Sequence, residues 1–248
     1  MVFSSSVFLF VFFPVTVIGF WLLRNHLNLQ NTWLLFVSIL FYAWGEPTFV
    51  FVLLLSSVIN WIIGERIKLS SDFSRKRWLL IISLVFNLGI FVVFKYLGFI
   101  INNVEVLIGV TLPNPHIRLP IGISFYSFQV MSYQIDLYRD EDTEKTSLRD
   151  FMLYALMFPQ LVAGPIVRFK DIAINLKVRN DTFSKYSEGL QRFVIGLSKK
   201  VLLADQLAML SDNAYFIMNK GGSVATAWIG AIAYYLQLYY DFSGYSDM

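Results

Sequence analysis

Tyr240, Asp241, Ser243, Tyr245 and Asp247 crowd one end of the chain, on a stretch that opens as an apolar run, Trp228-Ile229-Gly230-Ala231-Ile232-Ala233. On a helix, Tyr234, Gln237, Asp241 and Tyr245 share a face, and Tyr240, Ser243 and Asp247 form the stripe beside it. A carboxylate in the middle of a membrane helix costs about 2.5–3.5 kcal/mol on insertion scales. Such a group normally faces a protein interior or a watery cavity. Carboxylates, hydroxyls and phenols in that setting can bind polar substrate groups and shelter developing charge.

Two glutamines are further candidates. Gln129 follows Leu119-Pro120-Ile121-Gly122-Ile123-Ser124-Phe125-Tyr126 and shares a helical face with Tyr126, Tyr133 and Asp136. Helix–helix hydrogen bonding is the plainer role for Gln129 and Tyr133. Gln160 lies in Phe158-Pro159-Gln160-Leu161-Val162-Ala163-Gly164-Pro165, either a kinked span or a loop lining a tunnel. Lys199-Lys200, followed by Asp205, weighs more as a membrane-surface anchor than as a site for an anionic donor. The two histidines, His26 and His116, have no carboxylate close in sequence and no metal spacing, and read as ordinary loop residues. Gly-x-Ser-x-Gly and His-x-x-x-His are absent, and so is cysteine, which removes disulfides, thiolate metal sites and a cysteine acyl intermediate. On residues alone there is no catalytic centre and no metal site.

The elements that carry these residues are membrane helices. The 248 residues are 56% hydrophobic and 15% charged, where soluble domains carry about 25% charge. That is too little charge to coat a water-soluble surface. Val7–Leu23 lacks a basic leader and a cleavage site and reads as a retained first span kinked at Pro14. Thr32–Trp44 and Thr48–Gly64 form a hairpin about Gly45-Glu46-Pro47, and Trp78–Ile101 is a fourth span with Lys95 placed to snorkel. Val104–Leu112 is apolar but is expected to be broken by Pro113 and Pro115 before it could span. Leu119–Tyr138 crosses back. The basic loop Arg66–Arg77 belongs in the cytoplasm, with the N-terminus and the Asn102–Ile117 loop, which lacks Lys and Arg, outside.

Phe151–Val167 is apolar but interrupted by Pro159, Gln160, Gly164 and Pro165, with basic residues on both flanks. A re-entrant segment reconciles the charges with the helix breakers, and broken helices often mark the site in such proteins. Tyr186–Met218 is amphipathic, part of it lying along the cytoplasmic interface, and Gly221-Gly222 turns the chain into the final span. The fold class is all-α, one polytopic membrane domain over residues 1–248.

Four segments in this order carry a resemblance: Leu119–Gln129 (LPIGISFYSFQ), Phe158–Phe169 (FPQLVAGPIVRF), Gly196–Leu207 (GLSKKVLLADQL) and Tyr239–Met248 (YYDFSGYSDM). Together they resemble the membrane-bound O-acyltransferase family, in its alginate O-acetyltransferase branch, whose members also begin Met-Val-Phe-Ser-Ser. The resemblance covers the whole chain. It implies a multi-pass protein of the bacterial inner membrane, built as a ring of helices around a tunnel open to both sides. Acetyl would pass from an acetyl thioester such as acetyl-CoA toward a surface polysaccharide such as alginate or a periplasmic acetyl-transfer protein.

The family's essential histidine lies in a tryptophan–histidine stretch downstream of the last motif. None is carried onto this sequence, which is expected to be the N-terminal part of the fold and inactive by itself. The resemblance makes Tyr240, Asp241, Ser243, Tyr245 and Asp247, with Gln160 and Gln129, candidates for the tunnel lining. No bound cofactor and no nucleic-acid partner is expected; the lipid bilayer is. Two other classes fit parts of the sequence. A transporter-like pore fits the broken helices and Asp241, though no internal repeat accompanies them. A non-catalytic scaffold for soluble acetyl-transfer partners fits the absence of a base.

Overall fold

The computed structural model describes residues 3–113, 115, 117–139, 146–161, 164–179 and 182–248. Among them there is helix and no strand. The chain divides into two compact units. One comprises Thr16–Val162 and Ile166–Arg179, the other Val2–Val15, Ala163–Pro165 and Asn180–Met248. The chain enters through a π-turn, Phe8–Phe12, that runs into α1 (Phe13–Leu22). Pro14 lacks an N–H, and its ring would meet the carbonyl of Phe10 in a regular helix; the widened turn stands at that place. A π-turn thus stands just before Pro14, where the sequence predicts a kink.

In the first unit, α2 (Leu27–Gly45) and α3 (Phe49–Leu69) flank the Gly45–Pro47 turn as the sequence predicts. A long α4 (Phe73–Ile108) follows, with the Asp72 carboxylate accepting from Ser74 N at 3.0 Å as its N-cap. The helix runs through the region expected to be a loop from Asn102. Gly109, at φ 68°, ends it in the left-handed conformation, so the stop is a glycine cap and not Pro113 or Pro115. α3 and α4 are long and apolar enough to cross a membrane. At 1.5 Å per residue the 36 residues of α4 reach roughly 54 Å, beyond a hydrocarbon core of about 30 Å.

α5 (Ile123–Tyr138) starts after Gly122, at φ 77°, and forms the centre of this unit. Tyr126, Val130, Tyr133 and Leu137 are buried along it. Polar residues join the helices. The Asn60 and Asn87 amides exchange hydrogen bonds of 3.1 and 2.7 Å, Ser83 Oγ donates to Asn60 Oδ1, and Gln134 Nε2 donates to Asn60 O at 2.7 Å. Between apolar helices such bonds and close packing hold the bundle together. The Phe151–Val167 segment is broken, as read: α6 (Leu148–Leu156) stops at Met157 and the single turn α7 (Phe158–Leu161) follows. The short α8 (Phe169–Lys177) returns Phe169 against Tyr133 and Tyr154, with ring centres 5.1 and 5.2 Å apart.

In the second unit, α9 (Phe183–Ser198) passes through a π-turn, Lys199–Ala204, into α10 (Asp205–Met218). Gly221, at φ 91°, makes the predicted turn, and α11 (Val224–Asp247) runs back with Ser223 as its N-cap. Small residues bring these helices together. A Cβ on Gly230 would stand 3.0 Å from Ala214 Cβ, and one on Gly196 would stand 2.5 Å from the Gly244 carbonyl. The two backbones touch at the Gly196–Gly244 crossing, where a side chain on either glycine would force them apart.

Candidate functional site

The polar face of α11 meets the π-turn. Lys199 Nζ donates to Ser243 Oγ at 3.0 Å and to the Asp247 carboxylate. Lys200 Nζ pairs with Asp241 at 2.8 Å and with Asp205 at 3.0 Å. The two stripes read from sequence are thus taken by two consecutive lysines, one stripe each. Consecutive residues on a regular α-helix point about 100° apart. Here the widened turn begins at this pair, and both ammonium groups reach the neighbouring helix.

Two ion-pair sets lie on consecutive lysines, Lys199 with Asp247 and Lys200 with Asp241 and Asp205, and their two ammonium groups and three carboxylates sum to about −1 at neutral pH. Both lysines are engaged with carboxylates. The pair therefore clamps α11, a role neither sequence reading gave it. Partial burial opposes the charge on Lys200, but Asp241 and Asp205 outweigh it and hold its pKa above the ordinary lysine value. The α11 carboxylates are half-exposed, and each is ion-paired. Two tyrosines of the candidate set have other company: Tyr245 lies 5.0 Å, ring to ring, from Phe3, and Tyr240 meets Tyr239 edge-on at 5.2 Å.

Gln129 and Gln160 come together in the first unit. Their Nε2 atoms both donate to the Tyr154 carbonyl, each at 2.7 Å. The reason is local. α6 ends at Leu156, so its last carbonyls lose their helical partners, and a buried carbonyl needs a donor. Tyr154 in turn donates its hydroxyl to Val167 O at 2.9 Å, and Ser38 Oγ accepts from Phe158 N at 3.1 Å. The break is tied on three sides. Ser38 and Tyr154 are residues that sequence reading missed, because their role appears only once the broken helix is placed against α2 and α5.

His26 caps the start of α2, its carbonyl accepting from Gln30 N at 3.0 Å; His116 and Val162-Ala163 of the second motif lie outside the described residues. Among the described residues no three acidic or histidine side chains are grouped to hold a metal.

No family model matches the sequence. Similarity to named proteins is nonetheless extensive. The whole chain is 42% identical to a protein of Pseudomonas aeruginosa named probable alginate O-acetylase AlgI, of which it covers 48%. It is 30% identical, again over all of itself, to a peptidoglycan O-acetyltransferase of Helicobacter pylori, covering 53% of it. About half of the chain, 51%, is 25% identical to a teichoic acid D-alanyltransferase of Streptococcus thermophilus, covering 32% of it. The chain spans about half the length of the curated relatives it matches.

Proposed function

Because the chain belongs to the membrane-bound O-acyltransferases of the alginate O-acetylase branch, we propose that its protein transfers acetyl groups to an exported polysaccharide such as alginate. The observation that carries this reading is identity of about 40% along the entire chain to proteins so named. Relatives named for peptidoglycan and teichoic acid support the wider class, acyl transfer onto cell-surface polymers. In this reading residues 1–248 are one membrane domain of a multi-pass inner-membrane protein, part of a helical ring around a tunnel. Apolar, lipid-length α3 and α4 and the exposed apolar flank of α4 support the membrane setting.

The donor is an acetyl thioester, acetyl-CoA or a related carrier, approaching from the cytoplasm. An acceptor hydroxyl, on the glycan or on a periplasmic carrier protein, attacks the thioester carbonyl as it gives its proton to a general base; the tetrahedral intermediate collapses with cleavage of the C–S bond, and the sulfur leaves as a free thiol that takes the proton from the base. Tyr240, Asp241, Ser243, Tyr245 and Asp247, with Gln129 and Gln160, contribute polar lining and framework. Fixed polar groups in a water-poor passage stabilise the developing oxyanion without reorganising. The test is ester-linked acetate on surface polysaccharide in a strain stripped of its other O-acetyltransferases. Supplying the full-length gene should restore the acetate, and an unacetylated polymer despite stable membrane expression would refute the reading.

A further inference from the structure

The start of α2 is held among other segments of the first unit. Lys68 Nζ, in the last turn of α3, donates to Thr146 Oγ1 at 2.9 Å, and Arg149, one helical turn further on, donates to Asn28 Oδ1 at 3.1 Å. The start of α2 therefore lies level with the end of α3 and the basic Arg66–Arg77 loop, on the cytoplasmic side by the charge rule. One turn into α2, the buried Asn31 donates its amide to Leu176 O at 2.9 Å and pins the end of α8 at that level. Gln30 Nε2 donates to Phe20 O at 3.2 Å and brings in the end of α1. The Arg179 guanidinium lies 5.2 Å from the centre of the Phe20 ring, and the Arg24 guanidinium 4.9 Å from that of Trp21.

What meets there is cationic, apolar and open. Residues 16–31 and 166–179 hold one acid, Asp171, against Arg24, Arg168, Lys170, Lys177 and Arg179. Arg24 and Lys177 are exposed. So are Trp21, Leu22 and Ile174, the last to 71%. Water disfavours that exposure, but the boundary between acyl chains and headgroups accepts it, and tryptophan collects there. Anionic headgroups of the cytoplasmic leaflet attract Lys and Arg close to the surface. We propose that the ends of α1 and α8 form a binding site for an anionic phospholipid of that leaflet. Its headgroup phosphate accepts from Arg24 and Lys177, and its acyl chains lie along Trp21, Leu22 and Ile174. Arg179, fixed on Phe20 and through Nε on Asn175 O at 3.0 Å, adds its charge to the site. The inference rests on the membrane setting adopted under the proposed function and needs no acyl transfer.

The full-length protein is reconstituted in phosphatidylcholine bilayers, and phosphatidylglycerol brominated on its acyl chains is admitted at rising mole fraction. Bromine quenches tryptophan on contact, and the part of the quenching that Trp21→Phe removes reports Trp21 alone. Brominated phosphatidylcholine gives the reference. At Trp21 the anionic lipid should be preferred about tenfold or more, since each cation near the surface adds to the attraction. Arg24→Gln with Lys177→Gln should abolish most of that preference, whereas Arg24→Lys with Lys177→Arg should keep it. Arg75→Gln with Arg77→Gln removes the same charge at the same leaflet, from the start of α4, and should change nothing at Trp21. Equal quenching by the two lipids in the parent protein overturns the proposal, as does an equal loss in both Gln pairs, which would mark a general attraction to the leaflet. Displacement of the anionic lipid by soluble glycerol phosphate overturns it too, because the site would then belong to a free phosphate. A lipid preference retained in a protein that transfers no acetate would leave this inference standing and count against the enzyme reading alone.

Discussion

Lys199 and Lys200 show what a residue can conceal in a sequence. As a dipeptide they look like a membrane-surface anchor; in the fold each pairs with α11 carboxylates. Lys200→Met leaves Asp241 and Asp205 without their cation and should destabilise the α10–α11 hairpin by about 1 kcal/mol, since solvent screens a pair this exposed. Lys200→Arg should recover most of it, read by denaturant unfolding in micelles. The pH dependence follows from the raised pKa of Lys200. Its contribution is fully present below the ordinary lysine value of 10.5 and is lost as pH rises through the higher folded value. A parent chain whose hairpin loses no stability above pH 11, relative to Lys200→Met, would contradict the clamp. The stripes of α11 were legible from spacing alone, because a helix places residues three and four apart together. The partner side was not, because the pair is made across 41 and more residues and through a π-turn that leaves no compositional mark.

Among the helices, apolar runs and Gly/Pro punctuation located most elements, including the α2–α3 turn, the break near Pro159 and the turn at Gly221. α4 escaped that logic. Its end is fixed by Gly109 in the left-handed conformation, and the two later prolines simply fall beyond it. The break before α7 was readable, but its fastening by Gln129, Gln160, Tyr154 and Ser38 depends on two other helices, α2 and α5. The close backbone approach of Gly196 and Gly244 makes a sharp prediction at this scale. The chain has no cysteine, so Ala214→Cys with Gly230→Cys gives a clean crosslink at positions where a Cβ on Gly230 would stand 3.0 Å from Ala214 Cβ, a small adjustment short of the roughly 3.5–4.5 Å that a disulfide spans. Oxidation should join them efficiently. Adding Gly196→Leu should cut the yield several-fold by prising α9 from α11. An undiminished yield would mean the crossing tolerates a side chain and is not the close contact described.

For the whole molecule, composition pointed to membrane helices, and α3 and α4 are long and apolar enough to cross a membrane; four motifs pointed to the relatives that the whole chain matches at about 40% identity. Topology is the next expectation at this scale. Single cysteines at Arg75 and at Arg118 should react with a membrane-impermeant maleimide only from opposite sides: Arg118→Cys in intact spheroplasts, Arg75→Cys after permeabilisation. Equal labelling of both in intact cells would overturn the orientation. The clamped polar face of α11 is proposed to take part in acyl transfer. Its most direct test is ester-linked acetate on surface polysaccharide, measured in cells carrying the full-length protein with Asp241→Asn. At least a tenfold fall is expected at normal membrane abundance, with Asp241→Glu retaining part of the activity. Acetate at the parent level in Asp241→Asn would contradict it.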